Sequence, residues 1–209
     1  MIELLNFRKK YHLETVLDIH DWHFDKGIYH LKGANGSGKS TLLQSMAARL
    51  SFEGDIRVNG KSVKRSPREC REKVSYAAAE PLFAEFLSGS DLYGFFLKTK
   101  GKPSWQLDEL MGGFGVPEFL DSPTGTYSSG MLKKLALVLA FTGSPDWILL
   151  DEPYNGLDTR AVEVLSGFIR GLTDRFGVGF IIASHHEQDG LLAEGHKVVS
   201  VANSQLSFL

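Results

Sequence analysis

The chain has 209 residues, 43% hydrophobic, 11% aromatic and 23% charged. These proportions suit one compact unit with a large core and exclude fibrous and disordered classes. Its 23 basic and 25 acidic residues sum to a net charge of −2, which gives no electrostatic footprint for wrapping nucleic acid, so no nucleic-acid partner is expected. A single cysteine, Cys70, excludes an internal disulfide or a multi-cysteine metal site and predicts a reducing compartment.

The segment 1–12 carries Arg8, Lys9 and Lys10 but no apolar stretch follows it, so no secretory signal is expected. The longest strongly apolar run, Leu135 to Phe141, falls far short of the roughly 18 residues of a membrane span. The chain therefore reads as soluble and intracellular. Residues 27–32 alternate and run into Gly33, predicting a strand that enters a glycine-rich turn. From Ser40 to Leu50, the residues Leu42, Leu43, Met46, Ala47 and Leu50 recur at helical spacing. Next, Asp55 to Val58, Asn59-Gly60 and Lys61 to Val63 predict a hairpin with a two-residue turn, and 73–77 another strand. Helical pieces broken by Gly and Pro fill 80–127, as in a separate helical subdomain. A helix over 129–142, a buried strand over 147–150, a helix over 159–175 and a strand over 178–183 follow. A short helix from Glu187 and a hairpin at Asn203-Ser204 close the chain. Strands alternating with helices predict a parallel sheet covered on both faces.

Two motifs carry chemistry. Gly33-Ala34-Asn35-Gly36-Ser37-Gly38-Lys39-Ser40 fits G-x-x-x-x-G-K-[ST] between a predicted strand and a predicted helix. In such a loop the backbone N–H groups and the helix N-terminus cradle a polyphosphate, the lysine reaches its terminal phosphates and the hydroxyl ligates magnesium. Further on, Ile148-Leu149-Leu150-Asp151-Glu152-Pro153 ends a buried strand in two carboxylates. Ligands of open parallel sheets sit at the carboxyl ends of strands, which places Asp151 to hold a magnesium shell and Glu152 to act on water.

With these motifs in this order, nearly the whole chain resembles the ATP-binding cassette family. Tyr127-Ser128-Ser129-Gly130-Met131 stands where that family has the signature L-S-G-G-Q; Ser128 and Gly130 match, and similar Y-S-x-G-M versions occur in cassettes serving exporters. The same serines could also cap the following helix. Gly156-Leu157-Asp158 resembles the family's loop in which an aspartate communicates across a dimer, and Asp158 could equally cap a helix at Thr159. His185, just past a predicted buried strand, matches the family's switch histidine, and Tyr11 stands at the separation of the aromatic that stacks on adenine, or packs at an edge. The family's glutamine is absent: Ala79 falls on that position.

The resemblance implies an α/β fold, a P-loop NTPase three-layer core with a small N-terminal antiparallel β subdomain and an inserted helical subdomain. It divides the chain into a nucleotide-binding core, 1–79 and 132–209, and a helical signature subdomain, 80–131. It implies ATP and Mg2+ as cofactors, with Gly33 to Thr41, Tyr11, Ser128, Ser129, Gly130 and Asp158 around the nucleotide, Ser40 and Asp151 on the metal, and Lys39, Glu152 and His185 in catalysis. The implied activity is ATP hydrolysis by a homodimer or heterodimer of cassettes on the cytoplasmic face of the membrane, driving a separate transmembrane permease, in export. A low-activity regulatory cassette is the rival, which Ala79 favours. The aromatic stretch 81–87 is expected to leave at least one side chain, Phe83 foremost, exposed for a helix of the permease.

Overall fold

The computed structural model describes residues 1–184 and 195–209; His185 and the helix expected from Glu187 lie outside the described residues. Its organising element is β7 (Trp147–Asp151), in which all five residues are buried, beside β8 (Gly179–Ala183), buried throughout in the same way. Such unbroken apolar runs suit strands covered on both faces. They pair in parallel, Leu149 opposite Ile181 and Asp151 opposite Ala183. With β3 (Ile28–Lys32), β6 (Val74–Ala77), β9 (Lys197–Ala202) and the antiparallel β10 (Gln205–Phe208) they form a six-stranded sheet ordered β10-β9-β3-β8-β7-β6.

Alternation along these strands builds two cores. Leu31, Leu149 and Ile181 point to one face, where they meet Leu42, Leu43 and Met46 of α1 (Lys39–Met46). Ile148, Leu150, Phe180 and Ile182 point to the other, against α5 (Ser129–Ala140) and α6 (Thr159–Phe176). Helices therefore cover both faces, as the sequence predicts. The segment between β6 and α5 carries α3 (Gly89–Lys100), α4 (Asp108–Gly113) and two single turns of 3-10 helix at Val116–Glu118 and Thr124–Thr126. A third cluster holds part of it in place, with Leu92 and Tyr127 packed on Leu135 and Leu139 of α5.

The N-terminal antiparallel β subdomain that the resemblance implies is present, built in part from strands that the alternation analysis does not place. β1 (Ile2–Tyr11) and β2 (Glu14–Phe24) form a long hairpin that the alternation analysis does not reach, and α2 (Pro67–Lys73) precedes β6. With β4 (Glu53–Val58) and β5 (Lys61–Ser62) the hairpin makes an antiparallel sheet ordered β2-β1-β4-β5. The turn foreseen at Asn59-Gly60 is present, with φ of 50° and 80°. Hydrogen bonds join the sheets: Asp18 N–H donates to Ser204 O at 2.8 Å, Ser204 Oγ to Thr15 O at 3.2 Å, and Gln205 Nε2 to Asp18 O.

Pairing between β1 and β4 slips between Leu5 and Arg8, where Asn6 takes φ 48° and Gly54 takes φ +78°. A Cβ on Gly54 would lie 2.0 Å from Asn6 O, a backbone atom that cannot swing away. The bulge thus needs glycine for both its dihedral and its space. Gly54→Ala is expected to lower stability by about 2–3 kcal/mol in urea unfolding.

Candidate functional site

The loop after β3 leads into α1 through Gly38, whose φ of +101° turns the chain where a side chain would be strained. The first intrahelical bond runs from Leu42 N–H to Gly38 O at 2.8 Å. The amides of Lys39, Ser40 and Thr41 precede it, and no acidic residue occupies this first turn. Such a terminus favours an anion. Lys39 is 6% exposed, and its Nζ donates to Gly33 O at 2.7 Å and Ala34 O at 3.1 Å. The ammonium is thereby held inside the loop it serves.

At the carboxyl end of β7, the Asp151 carboxylate is buried at 2% exposure. Ser40 Oγ donates to its Oδ1 at 3.0 Å and Tyr76 Oη to its Oδ2 at 3.1 Å. Burial pushes the Asp151 carboxyl above the usual carboxylate range, and these two hydrogen bonds oppose the shift. A hydroxyl and a carboxylate converging in this way form an oxygen set suited to a hard cation such as Mg2+. Glu152 follows with φ 46°, uncommon for a residue with a side chain, and its amide donates to Ala183 O at 2.8 Å. Backbone strain of this kind is worth about 1–3 kcal/mol and persists where the surroundings impose it.

A cleft of about 490 Å³ gathers Tyr11, Val16, the loop from Asn35 to Thr41, Ala79, Glu80, Glu152 and Asn155. This lies within the size range of small-ligand sites, roughly 300–1,000 Å³. Tyr11 is 44% exposed at the end of β1, with Lys9 Nζ 4.8 Å from its ring centroid. Gly33 and Ala34 take no part in the cleft wall and act through their carbonyls on Lys39.

Ser128, Ser129, Gly130 and Asp158 are not among the residues of that cleft. Ser128 caps α5, accepting from Met131 N–H at 3.2 Å, while a Cβ on Gly130 would lie 3.1 Å from Gly156 O. Asp158 caps α6, accepting from Ala161 N–H at 2.9 Å, and accepts from Lys134 Nζ at 2.7 Å. The Lys134 hydrogen bond, with that from the Ala161 amide, holds its carboxyl below the usual range. The capping role foreseen for Ser128 and Asp158 is therefore present in this chain.

Three residues escaped the sequence reading. Tyr76 lies in β6 like any strand aromatic, and Asn155 lines the cleft from the turn after Glu152. Lys133 precedes an apolar run and looks like a solvated helix residue, yet it is 2% exposed. Its Nζ donates at 3.0 Å to the carbonyls of Ala78, Ala79 and Asp151, and burial pulls its ammonium down to about 8. One ammonium thus joins α5, the segment after β6 and the end of β7.

Loop, helix terminus and acidic strand end define a P-loop nucleotide-binding protein. The model of the ABC transporter family matches residues 20–155. The bacitracin transport ATP-binding protein BcrA of Enterococcus faecalis is 30% identical over 99% of this chain and 70% of its own length. The daunorubicin/doxorubicin resistance ATP-binding protein DrrA of Streptomyces peucetius is 29% identical over 95% of this chain and 62% of its own length, so the chain spans about two thirds of these relatives. A solved ATP-binding subunit of an ABC transporter superposes with a TM-score of 0.86 at 23% identity, covering 100% of this chain and 90% of that one, which shows the shared fold. The chain belongs to the ABC transporter family as an ATP-binding cassette. Among the described residues, no helix is long and apolar enough to cross a membrane.

Lys133→Met is expected to keep the volume but leave three carbonyls without their donor, lowering stability by about 1–3 kcal/mol; the shift of the urea midpoint measures it.

Proposed function

We propose that this cassette binds and hydrolyses ATP with Mg2+ as one subunit of an exporter, peripheral on the cytoplasmic face of the membrane. The single observation that carries the reading is the Ser40–Asp151 hydrogen bond, which joins the phosphate-type loop to the acidic strand end at an oxygen pair that fits Mg2+. Residues 1–79 and 132–209 form the nucleotide core in this reading, and 80–131 the helical part.

The roles follow from position. Backbone amides from Gly36 to Thr41 and the α1 terminus receive the phosphates, with Lys39 as the charged partner. Tyr11 offers a ring for the base at the same cleft. Ser40 and Asp151 hold Mg2+, which supplies charge neutralisation across the phosphates. Glu152 orients water and accepts its proton, and His185, outside the described residues, keeps the switch role that the sequence motif implies. Ser128, Ser129, Gly130 and Asp158 stand apart from the cleft of their own chain, which supports a site completed by a second cassette, in a homodimer or heterodimer.

Export is supported by the names of BcrA and DrrA, a transport and a resistance protein. The groove lined by Tyr76, Pro81, Leu82, Phe83, Phe96 and Leu139 supports docking of an apolar helix from a separate permease. Within it the sequence expectation needs one correction. Phe83 is half-buried against the Leu92–Tyr127 cluster, whereas Leu82 and Phe86 are 94% and 82% exposed. Packing of Phe83 on that cluster takes it inward, so Leu82 and Phe86 are the exposed anchors.

A second reading, a cassette of low turnover that responds to nucleotide, is favoured by Ala79 in the cleft wall, where the family has glutamine. Steady-state turnover of the purified protein separates the two. Lys39→Ala is expected to abolish hydrolysis, through loss of a charged partner worth a few kcal/mol; turnover at the wild-type rate refutes the site. Glu152→Gln is expected to retain ATP binding, slow turnover by about 10²-fold or more and accumulate an ATP-dependent dimer in size-exclusion chromatography.

A further inference from the structure

Tyr76 stands between two surfaces. Its β6 backbone pairs in parallel with β7, Tyr76 opposite Leu149. Its ring forms part of the apolar groove beside Pro81, Leu82 and Phe83, with the Arg49 guanidinium 5.1 Å from the centroid. Its hydroxyl leaves that groove and donates to Asp151 Oδ2 at 3.1 Å.

The second oxygen of the same carboxylate, Oδ1, accepts from Ser40 Oγ at 3.0 Å. A carboxylate held by one oxygen can rotate about its Cβ–Cγ bond; held by both, its plane is set. Metal ligation needs ligands within about 0.5 Å and 10–20° of the productive geometry. Of the two donors, Ser40 is itself assigned to the cation and exchanges its partner when the cation binds. Tyr76 is the donor that can stay in place throughout.

We propose that Tyr76 is a positioning residue for the metal-holding carboxylate, fixing Asp151 Oδ2 so that Oδ1 faces the Ser40 hydroxyl, the pair that would hold the cation. This rests on the reading of Ser40 and Asp151 as the Mg2+ pair. Burial and the Asp151 charge both raise the Tyr76 phenol above its ordinary value, which keeps it a proton donor. A merely structural hydrogen bond at this place would stabilise the fold without altering how strongly Mg2+ engages.

Tyr76→Phe separates the two roles, because it keeps the ring, its groove contacts and its place over Arg49. The probe is a fluorescent ATP analogue titrated into the whole protein in EDTA and then at rising Mg2+. In EDTA the variant is expected to bind the analogue within about twofold of wild type, since the loop and Tyr11 are untouched. The Mg2+ concentration giving half of the metal-dependent change is expected to rise about 10-fold or more, the usual effect of removing a hydrogen-bond partner of a metal ligand. A rise in that concentration supports the proposal whatever the shift in urea midpoint. An unchanged Mg2+ response beside a Mg2+-dependent wild type overturns the role of Tyr76 alone. A wild type whose nucleotide affinity ignores Mg2+ overturns the Ser40–Asp151 reading and the proposal with it.

Discussion

The buried carboxylate of Asp151 is the constraint on which the rest of the site depends. A charge taken out of water is costly unless hydrogen bonds replace the lost hydration. Here the replacements come from different elements: Ser40 from α1 and Tyr76 from β6. The backbone carbonyl of the same residue accepts from Lys133 on α5. Satisfying one aspartate thus fixes the loop, the acidic strand end, the neighbouring strand and the start of the signature helix relative to one another. Binding geometry and folding energy are set by the same few bonds.

The division of labour around the cleft has a similar economy. The loop from Asn35 to Thr41 and the pair Asp151 and Glu152 meet because β3 and β7 flank β8 in one parallel sheet and end at the same edge. The signature residues are tied instead to the loop after β7, through Gly130 against Gly156 O and Lys134 on Asp158. The N-terminal half of α5 therefore carries two kinds of attachment: Gly130 and Lys134 meet the loop after β7, and Lys133 between them reaches the carbonyls of Ala78, Ala79 and Asp151. Glu152, the first residue after β7, takes a left-handed conformation, where its backbone is committed before any ligand arrives.

The parts legible in the sequence were those whose physics is local. The glycine loop needs glycines wherever it occurs, the run Trp147 to Leu150 is apolar enough to demand burial, and Asn59-Gly60 and Asn203-Ser204 dictate hairpins. The residues that escaped act through distant partners. Lys133 meets Ala78 and Ala79 across 55 and 54 positions of sequence, and Tyr76 meets Asp151 across 75. No periodicity encodes such pairs. β1 and β2 are not legible by alternation for another reason: they mix charged and apolar residues over 10 and 11 positions, their mutual register shifts between Lys9 and Lys10, and the register of β1 with β4 slips at the Gly54 bulge, irregularities that only the partner strands reveal. The inward turn of Phe83 likewise depends on its packing against the Leu92–Tyr127 cluster.

The hydrogen bonds from Asp18 and Ser204 that join the antiparallel sheet to the β9–β10 turn also cover a strand edge. A β-edge is open to pairing with another chain unless something occupies its donors and acceptors. These bonds occupy part of the β2 edge with the protein's own turn. They also tie the hairpin bearing Tyr11 to the sheet bearing the loop, so the two walls of the cleft share a link made by the protein's own last turn.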